Sequence, residues 1–252
     1  LQIPHTQVAP GRNIRHLEAR GNFIVEKKPD VIVHIGDHAD MPSLSVYEKK
    51  GSKYFHDKSY KKDIDSANEA MEVLLAPLRK HNAQQQRNRK KQYKPRMVFL
   101  LGNHEERIMR HVNANPELSG KCSYQDFKLE DMGWEVHDFL EMVEIDGVMY
   151  SHFFANPNTG RPWGAVARTR LNNIGFSFTM GHQQGKDLAE KHLANGQILR
   201  ALVVGSFYQH DEEYKGYQGN EHYRGCIYKH EVKDGNYCLM ELSMKYLLEK
   251  WL

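Results

Sequence analysis

Short apolar runs recur along the chain and alternate with stretches of helical periodicity. Residues 31–35 and 96–101 are rich in β-branched and large apolar side chains, which is typical of buried strands. Apolar positions over residues 13–28 follow helical spacing, so the first of these strands should be reached by a strand–helix–strand crossover from a short strand at residues 1–4. Such a crossover makes the two strands parallel neighbours. We therefore expect residues 5–7 to lie beside Asp37.

The rest of the chain repeats these two periodicities. A long helix is predicted over residues 63–82, where Ile64, Ala67, Met71 and Leu74 share one face. Shorter helices are expected over residues 43–50, 104–110 and 162–172, and a last one ending at Trp251. Further strands are predicted over residues 134–139, 142–145, 148–150, 176–180, 198–207, 225–232 and 237–242. Asp146-Gly147 and Asp234-Gly235 favour two-residue hairpin turns. No linker divides this pattern, so we expect one α/β domain over residues 1–252.

Composition narrows the class of protein. Of the 252 residues, 40% are hydrophobic and 27% charged, which fits a sizeable core under an ordinary surface. Three widely spaced cysteines give no disulfide framework, and no apolar run approaches the roughly 18 residues of a membrane span, so we expect a cytoplasmic protein with no membrane partner. The net charge of +3 is too small to indicate nucleic-acid binding by itself. The basic run within residues 79–94 could contact a phosphate backbone or form a solvated surface.

Residues that can bind metal ions follow one predicted strand after another. They are His5, Gln7, Asp37, Asn103, His104, His152, His182 and Gln184. A single histidine after a strand is more often a packed or surface residue, and Asp37 alone could cap a helix. Ligands of open α/β sheets bind at the carboxyl ends of the strands. The repetition at strand ends therefore predicts a metal site there, with Asp37 at its centre.

The order of these residues resembles the calcineurin-like metallophosphoesterase superfamily. The family motif GDxxD is matched by residues 36–40, GNHE by residues 102–105, a lone histidine by His152, and GHxH in part by residues 181–184. The sequence Asp-Met-Pro-Ser-Leu at residues 40–44 is similar to the compact form found in tailed bacteriophages. The resemblance implies a four-layer α/β/β/α sandwich of two mixed sheets with the metal site at the strand ends. It also implies a phage-encoded protein acting in the bacterial cytoplasm.

The resemblance further implies a dinuclear phosphoesterase, which hydrolyses a phosphomonoester or phosphodiester by metal-activated water. Asp37 would bridge the two divalent ions, and His104 would stabilise the transition state or protonate the leaving oxygen. We call the two sets of further ligands half-sites. The first half-site would comprise His5, Gln7 and Gln184, and the second Asn103, His152 and His182. A pair of metals clamps the attacking and leaving oxygens of an in-line displacement at phosphorus.

The first half-site departs from the family pattern. His5-Thr6-Gln7 stands where the family has Asp-x-His, and Gln184 replaces the last histidine of GHxH. A glutamine at that last position resembles the 5′-nucleotidase branch of the family. A neutral imidazole at position 5 should weaken the first metal and shift preference toward Mn, Zn, Ni, Co or Fe over Mg. We therefore predict a tight second half-site and a first one that is weak or empty.

Residues around the centre allow more than one interpretation. Asp40 would orient a ligand histidine or cap the helix over residues 43–50. Asn103, His38, Arg107 and His210 are candidates for binding substrate, although His38 and Arg107 could equally be plain surface residues. The basic run and the aromatic loop near His210 favour a nucleotide or nucleic acid as substrate. The alternative function is a catalytically weak or inactive binding module that keeps the fold and one metal.

Overall fold

Each predicted apolar run forms a strand, and the strands assemble into two mixed sheets. The computed structural model describes residues 1–45, 58–211 and 216–252. The strands described there are β1 (Gln2–Ile3), β2 (Val31–His34), β3 (Arg96–Leu100), β4 (Glu135–His137), β5 (Val143–Ile145), β6 (Val148–Ser151), β7 (Phe178–Met180), β8 (Lys186–His192), β9 (Ile198–Val204), β10 (Gly225–Lys233) and β11 (Asn236–Ser243).

Six α-helices are described over the same ranges. They are α1 (Arg15–Lys27), α2 (Tyr60–Arg87), α3 (Arg107–Ala114), α4 (Ala167–Ile174), α5 (Gly216–Asn220) and α6 (Met244–Trp251). Within the described residues, no helix is both long and apolar enough to cross a lipid bilayer.

Parallel strands form the middle of both sheets. The six-stranded sheet has the order β11-β10-β1-β2-β3-β4, in which β1 to β4 are parallel. The five-stranded sheet has the order β5-β6-β7-β9-β8, in which β6, β7 and β9 are parallel and the edge strands are antiparallel. The parallel register places the carboxyl ends of β1, β2 and β3 together, and those of β6, β7 and β9 together.

One buried cluster joins the two sheets. Val33 and Val98 of the six-stranded sheet belong to the same cluster as Tyr150, Leu202 and Val204 of the five-stranded sheet. Helices α1, α2 and α6 pack their apolar faces in a second cluster with Ile3, Ile32 and Phe99. Helix α4 packs in a third cluster with β7, β8 and β9. Successive side chains of a strand point to opposite faces of its sheet, so each strand contributes to two different buried clusters.

The predicted hairpin turns are confirmed. Asp146 and Gly147 have φ of 52° and 79°, and Asp234 and Gly235 have φ of 51° and 79°. Positive φ at both central residues is the geometry of a type I′ turn, which matches the twist of the flanking strands. The strands on either side pair antiparallel, Ile145 with Val148 and Lys233 with Asn236.

Several predicted bounds were wrong. Helix α2 extends beyond the predicted 63–82 at both ends, so much of the basic run is helical rather than irregular. Helix α4 begins at Ala167 instead of 162, because the carbonyls of Trp163 and Gly164 accept hydrogen bonds from the Arg170 side chain at 2.7 and 3.0 Å. Helix α3 begins at Arg107, after a turn over residues 103–106.

Strand β8 was missed because its sequence, KDLAEKH, is mostly charged and shows no apolar run. It is an edge strand, where charged side chains face water and discourage pairing with other chains. The helix predicted over 43–50 is a 3-10 turn at Pro42–Leu44, and its remainder lies in residues 46–57, outside the described part of the chain. The aromatic loop toward residue 222 likewise includes residues 212–215, which are not described.

Candidate metal centre

The candidate ligands meet where the carboxyl ends of the two sheets face each other. The Gln7 amide donates to the Asp37 carbonyl at 3.0 Å, so the loop after β1 lies beside Asp37 as predicted. His5 pairs with Ser206, just beyond β9, in a parallel bridge that links the two sheets. His152 Nδ1 lies 2.8 Å from the Ile35 carbonyl oxygen and makes a second link. The loops after β1, β2, β6 and β9 are therefore held to one another by hydrogen bonds.

A buried group of three residues could hold a metal ion. One ligand atom each from His5, Asp37 and His152 lies within 4.8 Å of the others. All three side chains are buried, and the rings of His5 and His152 lie 5.4 Å apart. The group unites His5, predicted for the first half-site, with His152, predicted for the second. Asp37 is the third member of this group.

Asn103 brings two histidines of the second half-site together. Its Oδ1 lies 3.0 Å from His152 Nε2 and 2.8 Å from His182 Nδ1. The Ile35 carbonyl can only accept, so in the neutral ring the proton of His152 resides on Nδ1 and the Nε2 lone pair faces oxygen. Those oxygens are Asn103 Oδ1 and, at 3.5 Å, Asp37 Oδ2. Such a lone pair and the oxygen atoms that it faces repel each other. A cation placed between them would turn this repulsion into attraction.

The first half-site is built differently. The His182 amide donates to His5 Nε2 at 2.7 Å, so the lone pair of that nitrogen is already engaged. His5 Nδ1 has no hydrogen-bond partner within the described part of the chain. Gln184 Nε2 donates to Gln7 Oε1 at 3.1 Å, while Gln184 Oε1 is buried and has no partner among described residues. Of the described donor atoms of the first half-site, the Gln184 amide oxygen is therefore the one that is buried with a lone pair not yet engaged.

Three of the candidate ligands have a strained backbone conformation. Gln7, Asp37 and His182 have φ of 39°, 51° and 64°, in the left-handed region that side chains other than glycine rarely adopt. Such conformations cost of order 1–3 kcal/mol each and are typical of functional sites.

Two glycines allow the loops to approach each other. A Cβ at Gly181 would lie 2.5 Å from His5 Nε2 and 2.7 Å from the Ile35 side chain. Gly36 has φ of 91°, and a Cβ there would lie 2.6 Å from the Leu100 carbonyl. Glycine at both positions is therefore a requirement of close packing.

Glu105 organises the loop that carries Asp37, a role that the sequence did not reveal. Its buried carboxylate accepts hydrogen bonds from the amides of Asp37, Ala39 and Gly102 at 2.8 to 2.9 Å. Burial and the neighbouring charge of Asp37 raise the pKa of Glu105. The only sequence signal was its place as the last residue of the GNHE match.

His104 is oriented by Asp40 at the solvent side of the centre. Its Nδ1 lies 2.9 Å from the Asp40 carbonyl oxygen and 3.0 Å from Asp40 Oδ1, and its Nε2 lies 4.0 Å from Asp37 Oδ2. Burial lowers the pKa of His104, but the charge of Asp37 and the hydrogen bond to Asp40 outweigh it and raise the pKa to about 9. Arg107 Nη2 lies 3.3 Å from His104 Nε2. Two cationic groups thus stand side by side next to the candidate metal ligands.

The ionisation of the ligands suits metal binding. Burial raises the pKa of Asp37, but His152, His104 and His5 outweigh it and hold the pKa well below its usual range. Burial lowers the pKa of His5 to about 3 and that of His182 to about 4. At neutral pH the centre therefore offers a carboxylate and neutral imidazoles, which are the forms that bind cations.

The remaining predicted site residues differ in how close they lie to the candidate metal ligands. His38 does not face the centre: its ring is buried, with Nδ1 2.7 Å from Thr6 Oγ1 and Nε2 2.9 Å from the Ala67 carbonyl. Arg107 lies beside His104 and also donates to the Asp40 carbonyl at 2.7 Å. The ring of His210 stacks on Tyr208.

The prediction for Asp40 needs correction. Its carboxylate orients His104, the predicted catalytic residue, rather than a metal ligand. It does not cap the following turn either, because the Ser43 amide donates instead to Asp63 Oδ2 at 2.9 Å. The side chain that accepts from this turn therefore comes from α2, which is distant in the sequence but packs against the loop.

No protein-family model matches this chain, and no curated protein sequence matches it either. The candidate metal centre therefore rests on its own residues and distances.

Proposed function

We propose that this chain is a metal-dependent phosphoesterase of the calcineurin-like type, hydrolysing a phosphomonoester or phosphodiester. One observation carries the proposal. Asp37, Asn103, His152 and His182 converge from four different parallel strands, with lone pairs directed at one another and with His104 and Arg107 alongside. Metal ligands and cationic groups in this arrangement fit a phosphate ester and the ion that activates it.

The fold that we propose with this function is a four-layer α/β/β/α sandwich. Helices α1, α2 and α6 would cover one sheet, the two sheets would face each other, and α4 would cover the second sheet. Three separate buried clusters support this order. One lies between the first group of helices and the six-stranded sheet, one between the two sheets, and one between α4 and the five-stranded sheet.

The residues of the second half-site, together with Asp37, would hold the more tightly bound ion. A divalent metal held there would polarise a phosphoryl oxygen and activate water. His104 would hold a proton on Nε2 for the leaving oxygen, because Asp40 fixes its Nδ1 proton on the other side of the ring. Arg107 would bind a non-bridging phosphate oxygen, since a guanidinium donates several hydrogen bonds in a fixed geometry.

The variant His104→Ala tests this function. Hydrolysis of an alkyl phosphodiester in added Mn²⁺ should fall by on the order of 100-fold or more, because its alkoxide leaving group needs the proton that His104 would donate. Metal content should not change, because His104 is not among the proposed ligands. His192→Ala removes an exposed histidine at the end of β8 and should leave both quantities unchanged. Equal turnover in His104→Ala and the unaltered protein would contradict the proposal.

A second candidate is a binding module that keeps one metal and does not catalyse. The observation that favours it is the engagement of His5 Nε2 by the His182 amide, which weakens the first half-site. Such a module would bind one ion per chain and would show no hydrolysis with any added metal. The double substitution His5→Asp and Gln7→His, which restores the family pattern, should then leave the chain without turnover.

A further inference from the structure

One part of the surface accounts for the net positive charge of the chain. From Val73 to His104 there is no acidic residue, while eight lysines and arginines occur there. Six of these form what we call the α2-end patch: Lys80, Arg87, Arg89, Lys90, Lys91 and Lys94. Without these six, the chain would have 29 basic residues against 32 acidic ones. The excess of positive charge is therefore local.

The patch is held in a defined shape by the backbone beneath it. The last buried residue of α2 is Leu78, so the final turns of the helix extend beyond the core. The chain then folds back along the helix. Asn82 Oδ1 accepts from the Tyr93 amide at 2.9 Å, Asn82 Nδ2 donates to the Tyr93 carbonyl at 2.7 Å, and Tyr93 hydroxyl donates to the Pro29 carbonyl at 2.5 Å. The basic residues between these anchors are thus carried on an ordered segment.

The patch cations are exposed, and the described residues provide no carboxylate within 4 Å of any of the six. The two other basic residues of the stretch are paired, Arg79 with Glu72 and Arg96 with Glu135. Six like charges on a fixed surface repel one another and attract a polyanion. The six patch cations therefore differ from Arg79 and Arg96, whose charges are neutralised by neighbouring carboxylates.

The patch lies far from the candidate metal centre. Asp63, near the start of α2, contacts Ser43 close to the centre, and Arg87 ends the helix 24 residues later. At 1.5 Å per residue this is about 36 Å. A ligand that touches both places must be extended and carry negative charge along its length. About ten base pairs of duplex, at 3.4 Å each, span that distance, whereas a single nucleotide does not.

We propose that the α2-end patch is a docking surface for the phosphate backbone of a nucleic acid. Its cations contact successive phosphates and release counterions, without reading the base sequence. That the docked nucleic acid is also the substrate of the metal centre rests on the proposed function; the docking itself does not.

The test is binding of a fluorescently labelled 30-base-pair duplex, measured by anisotropy as a function of salt. The variant carries Arg87→Gln, Arg89→Gln, Lys90→Gln and Lys91→Gln. We expect its affinity to fall at least tenfold, and the slope of log K against log salt to become shallower by about 3 to 4, since each lost contact contributes about 0.9. A matched control changes four exposed cations elsewhere, Lys121→Gln, Arg161→Gln, Lys233→Gln and Lys245→Gln, and should keep the original slope.

Equal loss of affinity in both variants, or an unchanged slope in the patch variant, would overturn the docking surface. Binding of phosphatidylserine vesicles in preference to the duplex would also overturn it. Hydrolysis of bis-p-nitrophenyl phosphate separates this outcome from failure of the proposed function. If the small ester is hydrolysed but the duplex does not bind, only the docking inference fails. If the duplex binds through the patch but no ester is hydrolysed, only the phosphoesterase fails.

Discussion

The two proposed half-sites around Asp37 differ in the contacts that their donor atoms already make. In the second, the Nε2 lone pair of His152 faces the oxygens of Asn103 and Asp37. In the first, the lone pair of His5 accepts the His182 amide, and Gln7 and Gln184 bond to each other. A metal at the second half-site would relieve an unfavourable contact, whereas a metal at the first would have to break favourable ones. The affinity for a metal therefore depends on the contacts that each coordinating side chain must give up, as well as on the type of that side chain.

The largest effect should come from removing one histidine of each half-site. His182→Asn should weaken the tighter metal by about 1000-fold, because a ligand and its contact with Asn103 are lost together. His5→Asn should change that affinity by less than tenfold. Both values are measured by competition with a chelator of known affinity. Equal losses in the two variants would mean that the half-sites are equivalent, which would break the comparison.

A smaller effect is expected from crowding the first half-site. Gly181→Ala places a Cβ 2.5 Å from His5 Nε2, so the ring or the loop must move. We expect the free energy of unfolding to fall by about 2 to 3 kcal/mol, as is typical of overpacking.

Urea titration without added metal measures this loss. The control is Gly185→Ala, where a Cβ would meet nothing within 4 Å. If Gly181→Ala is no less stable than the control, His5 is not held in the tight contact described here.

The smallest effect concerns acid stability, and it separates the fold from the metal centre. Burial lowers the pKa of His16, on α1, to about 4 from an ordinary value of 6.5. Because the folded-state pKa is depressed, the stabilisation is present above pH 6.5 and is lost as pH falls toward 4. Between pH 7 and pH 5 this residue should account for about 2 kcal/mol of lost stability.

His16→Gln should reduce the pH dependence of the urea unfolding free energy by that amount, measured at pH 7 and pH 5. An exposed histidine changed in the same way, His192→Gln, should leave the pH dependence unaltered. Should both variants keep the full pH dependence, the acid sensitivity arises from other buried histidines.

Much of the fold could be predicted because its signals are local. The Asp-Gly turns specify their own φ angles, and the apolar runs at β2 and β3 are strands in any context that buries them. Parallel strands place their carboxyl ends together, which is why the sequence predicted that His5 and Asp37 would be neighbours. Strand β8 escaped because an edge strand keeps charged side chains.

The parts of the centre that could not be predicted depend on distant packing. His38 is buried because α2 presents the Ala67 carbonyl to its ring, and no pattern near His38 indicates that contact. Glu105 accepts three amides that meet only after two loops have packed together. The engagement of His5 by the His182 amide likewise joins residues from opposite sheets. Such contacts require the three-dimensional arrangement.

The most direct test of the central claim is the metal content per chain, measured by elemental analysis after purification without chelator. It is paired with hydrolysis of bis-p-nitrophenyl phosphate in added Mn, Zn, Ni or Mg. We predict about one tightly bound metal per chain, a second that binds only when metal is added, and turnover that rises with the second. A chain that holds no metal and shows no turnover with any added ion would contradict the account.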